Sequence, residues 1–139
     1  MLFRSVSQSR YFAGSNSLQD YIHSLYICDE YRLMRLCVST FRKIIISPEF
    51  VNVDTVVGYS FGGAIAQYFA FIFSVVLYKV ITYGCIKIRY GVSEAINIRY
   101  GSDIVTKLPP WGKTIGKTLD FGDKNILNCI KDHIGYGKI

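Results

Sequence analysis

What this 139-residue chain lacks narrows the field before any motif is read. Its four cysteines, Cys28, Cys37, Cys85 and Cys129, stand far apart and form no C-x-x-C pair. That spacing writes neither a zinc site nor a redox dithiol, and buried free thiols in a reducing compartment fit it best. Clustered basic residues are missing too: the sixteen Lys and Arg behind a formal charge of +6 are scattered singly or in pairs such as Arg42-Lys43. A phosphate backbone is gripped by runs of cations, so nucleic acid is not an expected partner. The opening MLFRSVSQSRYFAG has no apolar stretch of the length a secretory signal needs, so the expected location is the cytoplasm or the periphery of a lipid surface. Internal repeats and low-complexity segments are absent as well.

What is present points to one packed domain over residues 1–139. Half of the residues are apolar, with eleven Tyr and nine Phe, which excludes a disordered chain. A chain of this length is near the commonest domain size. Turn signals divide it into short apolar runs alternating with helix-period stretches, the pattern of an α/β fold with a mostly parallel central sheet and flanking helices.

SRYF leads into AGSNS, after which Leu18, Tyr21, Ile22, Leu25 and Tyr26 make one apolar stripe on a helix. Ser17, with Asp20 three residues on, is its expected cap. LMRLCVSTF reads as a strand, and RKIIISPEF is ended by Pro48. VDTVV is a β-branched strand closed by Gly58, followed by a buried helix from Gly62 to Leu77. KVITYG and AINIRYG each end at glycine, as strands often do. The tail reads as mostly loop, with one helix near Asn125 to Lys131.

The run from Val56 to Tyr78 carries no formal charge and admits two readings. Its length suffices to cross a bilayer, and Gly62, Gly63 and Ala66 would serve as a small-residue helix contact. Against a span stand the glycines and serine crowded at one end and Gln67 inside. The other reading is chemical. Gly58-Tyr59-Ser60-Phe61-Gly62, set between a strand and a helix, has the form of a nucleophile elbow, where strand and helix approach too closely for a Cβ two residues either side of the serine. The serine hydroxyl would then stand at a helix N-terminus, where amides and the dipole favour negative charge. By chance alone G-x-S-x-G occurs in about one chain of this length in twenty, so the elbow needs company.

Company comes from two further blocks. VVGYSFGGAIAQYFA, INIRYGSDIVTKLPP and DHIGYGK, in that order, resemble the elbow, acid and histidine blocks of the fungal-type (class 3) lipases of the α/β-hydrolase fold. The resemblance implies Ser60 as nucleophile, Asp103 as acid and His133 as base. Upstream, YFAGSNSLQDYIHSLYI is similar to the family's oxyanion segment and lid helix. It maps an oxyanion residue to Ser15 and a lid to roughly residues 17–27. Three departures imply a reduced version of that fold: Gly84-Cys85-Ile86 where the family has Gly-x-Pro, VSTF for its histidine-glycine-phenylalanine patch, and a short interval from there to the elbow.

These residue types suit acyl transfer. His133 would take the proton of Ser60 during attack on an ester carbonyl, Asp103 would orient the imidazole, and the backbone N–H of Phe61 with Ser15 would receive the oxyanion. Neither metal nor organic cofactor is called for. The expected activity is that of a lipase or carboxylesterase on lipid esters, met at a membrane or lipid-droplet surface. The alternatives are a lipase-like binding module without turnover and, behind it, an integral membrane protein. Each residue also has a plainer reading: Ser60 as a turn serine, Asp103 as a turn cap, His133 as a surface histidine, Ser15 as a loop residue or helix cap. His23, the rival base, reads as solvated, and Trp111 as packed beneath the Pro109-Pro110 turn.

Overall fold

A computed structural model describes residues 2–4, 8–12, 30–50, 53–74, 78–122, 129–134 and 136. Its centre is a sheet whose strands lie in chain order: β1 (Leu2–Arg4), β2 (Gln8–Phe12), β3 (Val53–Tyr59), β4 (Lys79–Tyr83), β5 (Ile96–Tyr100) and β6 (Lys117–Phe121). The edge strand β1 is antiparallel to β2, and every other pairing is parallel. Helix α1 (Glu30–Ile45) lies between β2 and β3, α2 (Phe61–Ile72) between β3 and β4, and α3 (Cys129–Ile134) beyond β6. The chain is therefore an α/β protein with a mostly parallel sheet and flanking helices.

Burial follows the strand order. In β3 every residue but Asp54 and Tyr59 is buried, as a central parallel strand covered on both faces should be, whereas four of the five β6 residues are exposed. Helix α2 is apolar nearly all round and is buried accordingly. The one long polar side chain it buries, Gln67, is satisfied at both ends: its amide donates to the Ile115 carbonyl (3.1 Å) and its oxygen accepts the Val92 N–H (2.9 Å). Phe41 of α1 packs edge-on against Phe69 of α2, with ring centroids 5.2 Å apart. Phe50 and Tyr78 close the same aromatic cluster.

The segment expected as a strand, LMRLCVSTF, is the middle of α1. Met34, Cys37, Phe41, Ile44 and Ile45 recur at helical spacing and face the core, so period 3.6 outweighs the local β-branched look of the run. Glu30 in the first turn and Arg42 and Lys43 in the last also suit the helix dipole. The second helix is shorter than expected, ending at Ile72 rather than Leu77, with the Phe73 N–H closing on the Phe69 carbonyl at 3.0 Å. There the chain turns to bring Tyr78 back onto Phe69. The tail also holds a strand that was not expected, β6, whose Lys117 and Asp120 suit an exposed edge and hide its pattern.

Of the expected tail helix, residues 125–128 lie outside the described residues, and α3 extends past Lys131 to Ile134. Trp111 is about half exposed, because Pro109 itself takes the buried place in the turn. Cys37 and Cys85 are free thiols but only half-buried, while the side chains of Cys28 and Cys129 lie outside the described residues. Within the uncharged run from Val56 to Tyr78, the described residues 56–74 divide into strand, turn and helix. Among the described residues no helix is long and apolar enough to cross a membrane.

Candidate active site

Parallel strands leave their carboxyl ends along one rim of the sheet, and the chain places its chemistry there. Ser60 follows β3 directly, Gly84 follows β4, and Asp103 lies three residues beyond β5. A crevice at the carboxyl ends of parallel strands is the usual ligand position in open α/β sheets.

At the elbow, Ser60 adopts φ 65° and ψ −125°, the one positive-φ non-glycine residue among those described. Such angles persist only where surroundings fix them. The Ser60 N–H donates to the Tyr83 carbonyl of β4 at 2.8 Å, and its carbonyl accepts the Gly63 N–H at 3.0 Å. Glycine at 58 is obligatory for space: a Cβ there would lie 2.1 Å from the Gly62 carbonyl oxygen and 2.6 Å from Gly63 Cα. A Cβ on Gly63 would likewise meet Cys85 Cβ at 2.8 Å, so α2 can seat closely on the sheet. The expected need for glycine thus has a packing cause at 58, and the second close approach falls at 63.

The side chains of the three residues expected to act together do converge. Ser60 Oγ lies 2.7 Å from His133 Nε2, and His133 Nδ1 lies 2.8 Å from Asp103 Oδ2. All three are buried, at 1%, 8% and 0% exposure for Ser60, His133 and Asp103. A carboxylate only accepts, so the imidazole proton belongs on Nδ1, and Nε2 is left as the acceptor for the serine O–H.

Asp103 is also the turn cap of its plainer reading. Its Oδ1 accepts the Val105 N–H at 2.9 Å, and its backbone oxygen accepts the Thr106 hydroxyl at 2.7 Å, which fixes the 3-10 turn Ile104–Lys107. One carboxylate oxygen holds the turn, and the other faces the histidine. The two readings are complementary.

Sequence reading assigned no role to Tyr136. Its hydroxyl accepts the Tyr100 N–H at 2.9 Å and donates to Asp103 Oδ2 at 2.6 Å, so the carboxylate oxygen that meets His133 carries a second donor. Burial, followed by the bond to Asp103 and the charge of that carboxylate, pushes the Tyr136 phenol well above its ordinary range. It remains a donor throughout the range in which a histidine works. Gly84 was missed as well: at φ +60° it passes so close that a Cβ would lie 2.6 Å from Tyr136 Cε2 and 2.8 Å from Asp103 Oδ2. The available signal was the spacing of Tyr136 three residues after His133, which places both on one side of a helical turn. Phe61 opens α2 directly after Ser60. Ser15, His23 and the expected lid at residues 17–27 lie outside the described residues. No family model matches the chain, and no curated protein matches it.

Proposed function

We propose that this chain is a serine hydrolase that cleaves carboxylic esters of lipids through an acyl-enzyme, on a reduced α/β-hydrolase fold similar to that of the fungal-type lipases. The observation that carries the reading is the unbroken hydrogen-bonded row from Ser60 Oγ through the imidazole of His133 to Asp103, set at a strained turn between strand and helix. A turn serine alone would not need a buried imidazole behind it, nor would that imidazole need a buried carboxylate.

In the forward step, Ser60 Oγ attacks the ester carbonyl carbon while His133 Nε2 takes the hydroxyl proton. The carbonyl electron pair moves onto oxygen, and the backbone N–H of Phe61, the residue after the nucleophile, would receive it, with Ser15 as its partner in the resemblance. Collapse of this intermediate expels the alcohol, which leaves with the proton from Nε2. Water then attacks the acyl-enzyme as Nε2 takes its proton, and the acid departs with Ser60 restored. Asp103 keeps the imidazole in the productive tautomer and balances the imidazolium formed in each half.

An apolar substrate is favoured by what flanks the site. Beside His133 and Asp103 in the chain, Ile134 is 71% exposed and Ile104 42% exposed, which leaves aliphatic side chains available to an apolar acyl chain. With Ser60 at 1% exposure, an ester reaches it only after a local opening. The deciding experiment is covalent labelling by a fluorophosphonate, which needs an activated serine and no particular acyl chain. Mass spectrometry should find the adduct on Ser60 alone. A chain that stays unlabelled while folded would instead be a lipase-like binding module.

A further inference from the structure

We propose that Tyr59, the residue before the nucleophile, is a positioning residue that holds His133 in register with Ser60. The proposal rests on the serine-hydrolase reading for its catalytic consequence. The structural observations behind it stand apart from that reading.

The described part of helix α3, which carries His133, is Cys129–Ile134. Short isolated helices are marginal in water, so tertiary contacts are what fix where its imidazole lies. Tyr59 supplies two of them from one side chain. Its hydroxyl donates to the backbone oxygen of His133 at 2.7 Å. Its ring stacks on the imidazole, with centroids 5.3 Å apart and planes 22° apart. The main chain of His133 and its ring are therefore both gauged from one residue, and that residue is covalently joined to Ser60.

The location of Tyr59 makes this gauge rigid. It closes β3, the central strand, and pairs in register with Tyr83 of β4. Tyr83 and, two residues beyond the β5 partner of Tyr83, Tyr100 lie on the same face of the sheet, and Tyr136 packs its ring against Tyr59, Tyr83 and Tyr100 at 6.1, 6.4 and 5.0 Å. Helix α2 lies against the opposite face, where Gly63 approaches Thr82. The nucleophile is thus fixed from one side of the sheet and the base from the other, and Tyr59 joins the two sides. Burial, with the nearby Asp103 charge adding to it, raises the Tyr59 phenol above its ordinary range, so it keeps its proton and its role as donor.

A distance of 2.7 Å between Ser60 Oγ and His133 Nε2 leaves little tolerance. A misplacement of about 1 Å in such a pair costs on the order of 100-fold in rate. Losing only the Tyr59 hydroxyl should cost roughly 3- to 10-fold, the net worth of one partly buried hydrogen bond.

The test uses the full chain with Tyr59→Phe, which keeps the stack, and Tyr59→Leu, which removes both contacts. One arm measures exchange with water of the His133 Nδ1 proton by nitrogen-15 NMR, assigned with His133→Gln; the chain's only other histidine is His23. The other arm separates the maximal rate of fluorophosphonate labelling from its half-saturating concentration. Tyr59→Phe should speed proton exchange and lower the maximal labelling rate by roughly 3- to 10-fold, with half-saturation unchanged. Tyr59→Leu should lose the protected resonance and label about 100-fold more slowly. Should Tyr59→Leu unfold, Tyr59→Phe alone decides. Exchange in Tyr59→Phe within twofold of the parent, or labelling losses that merely track the folded fraction, would overturn the proposal. A parent chain that takes no label but loses its protected proton in the variants would sink the hydrolase reading and leave the positioning role standing.

Discussion

Two carboxylates in this molecule are held in nearly the same way and serve different ends. Glu30, in the first turn of α1, accepts the Tyr68 hydroxyl at 3.0 Å and the N–H groups of Arg89 and Tyr90 at 2.7 and 3.4 Å, all on one oxygen. Asp103 accepts the Tyr136 hydroxyl and the Val105 N–H. Each is a knot of carboxylate, phenol and backbone amide. Glu30 ties α1 to α2 and to the loop after Ile88, and among the described residues no imidazole stands behind it. At Asp103 the third donor is His133 Nδ1 where Glu30 has a second backbone amide, and beyond the histidine lies a serine held at an angle it would not choose. A carboxylate with a tyrosine is thus a structural device in both places, and under the proposed reading Asp103 differs because a histidine links one of its oxygens to a serine hydroxyl.

The comparison breaks most sharply at the nucleophile and base. Ser60→Ala and His133→Ala should each lower ester hydrolysis by about 10⁵- to 10⁶-fold, and the double variant should be hardly worse, because residues acting as a unit are not additive. Simple additivity in the kinetics of the three variants would show that the pair shares no mechanism. Next comes the acid. Asp103→Asn keeps the shape but offers an amide where Nδ1–H needs an acceptor, and a loss of about 10⁴-fold is expected, read from kcat under saturating substrate.

Glu30→Ala should behave in the opposite sense. It removes charge-assisted bonds worth about 1–3 kcal/mol in total and so lowers the urea midpoint, while hydrolysis by the folded fraction stays within roughly twofold of the parent. Equal losses of rate at Glu30 and Asp103 would erase the distinction drawn between the two knots.

The smallest effect concerns pH. The phenols of Tyr68 and Tyr136 are both raised, Tyr68 by burial first and then by the charge and hydrogen bond of Glu30, Tyr136 by burial and Asp103. A group whose folded pKa lies above its unfolded value of about 10 binds more protons when folded between those two values. Its contribution is therefore complete below about pH 10 and is lost as pH climbs toward the raised pKa. The melting temperature should fall above pH 10, and Tyr68→Phe and Tyr136→Phe should each make that fall shallower. A slope unchanged in both variants would show that neither phenol is held neutral by the fold.

Local chemistry made part of this legible in advance. The glycines at 58, 62 and 63 around Ser60 could be read as a tight strand-to-helix turn, and at 58 and 63 only a missing Cβ permits the approach. VDTVV and KVITY announced their strands through β-branched residues. Less could be read where periodicity and composition disagree, as in α1, where Met34, Cys37 and Phe41 keep helical spacing beneath a run that looks β-like. Strand β6 was hidden because an exposed edge needs no apolar alternation.

By itself the sequence determined the alternation of strand and helix, the elbow with its glycines, and an order of Ser60, Asp103 and His133 along the chain that suits one kind of chemistry. The first two features are local and depend on backbone sterics, side-chain volume and spacing within a few residues; the third is an order along the chain and came from the resemblance. Only the tertiary structure decided that Asp103 Oδ2 meets both His133 and Tyr136, that Gly84 must stay bare to let them meet, and that Tyr59 lies flat against the imidazole. The hydrogen bonds to Asp103 and from Tyr59 join residues 30 to 74 positions apart, and nothing in the local pattern specifies them. They arise because parallel strands gather their carboxyl ends on one rim, where a buried carboxylate must find every donor it can.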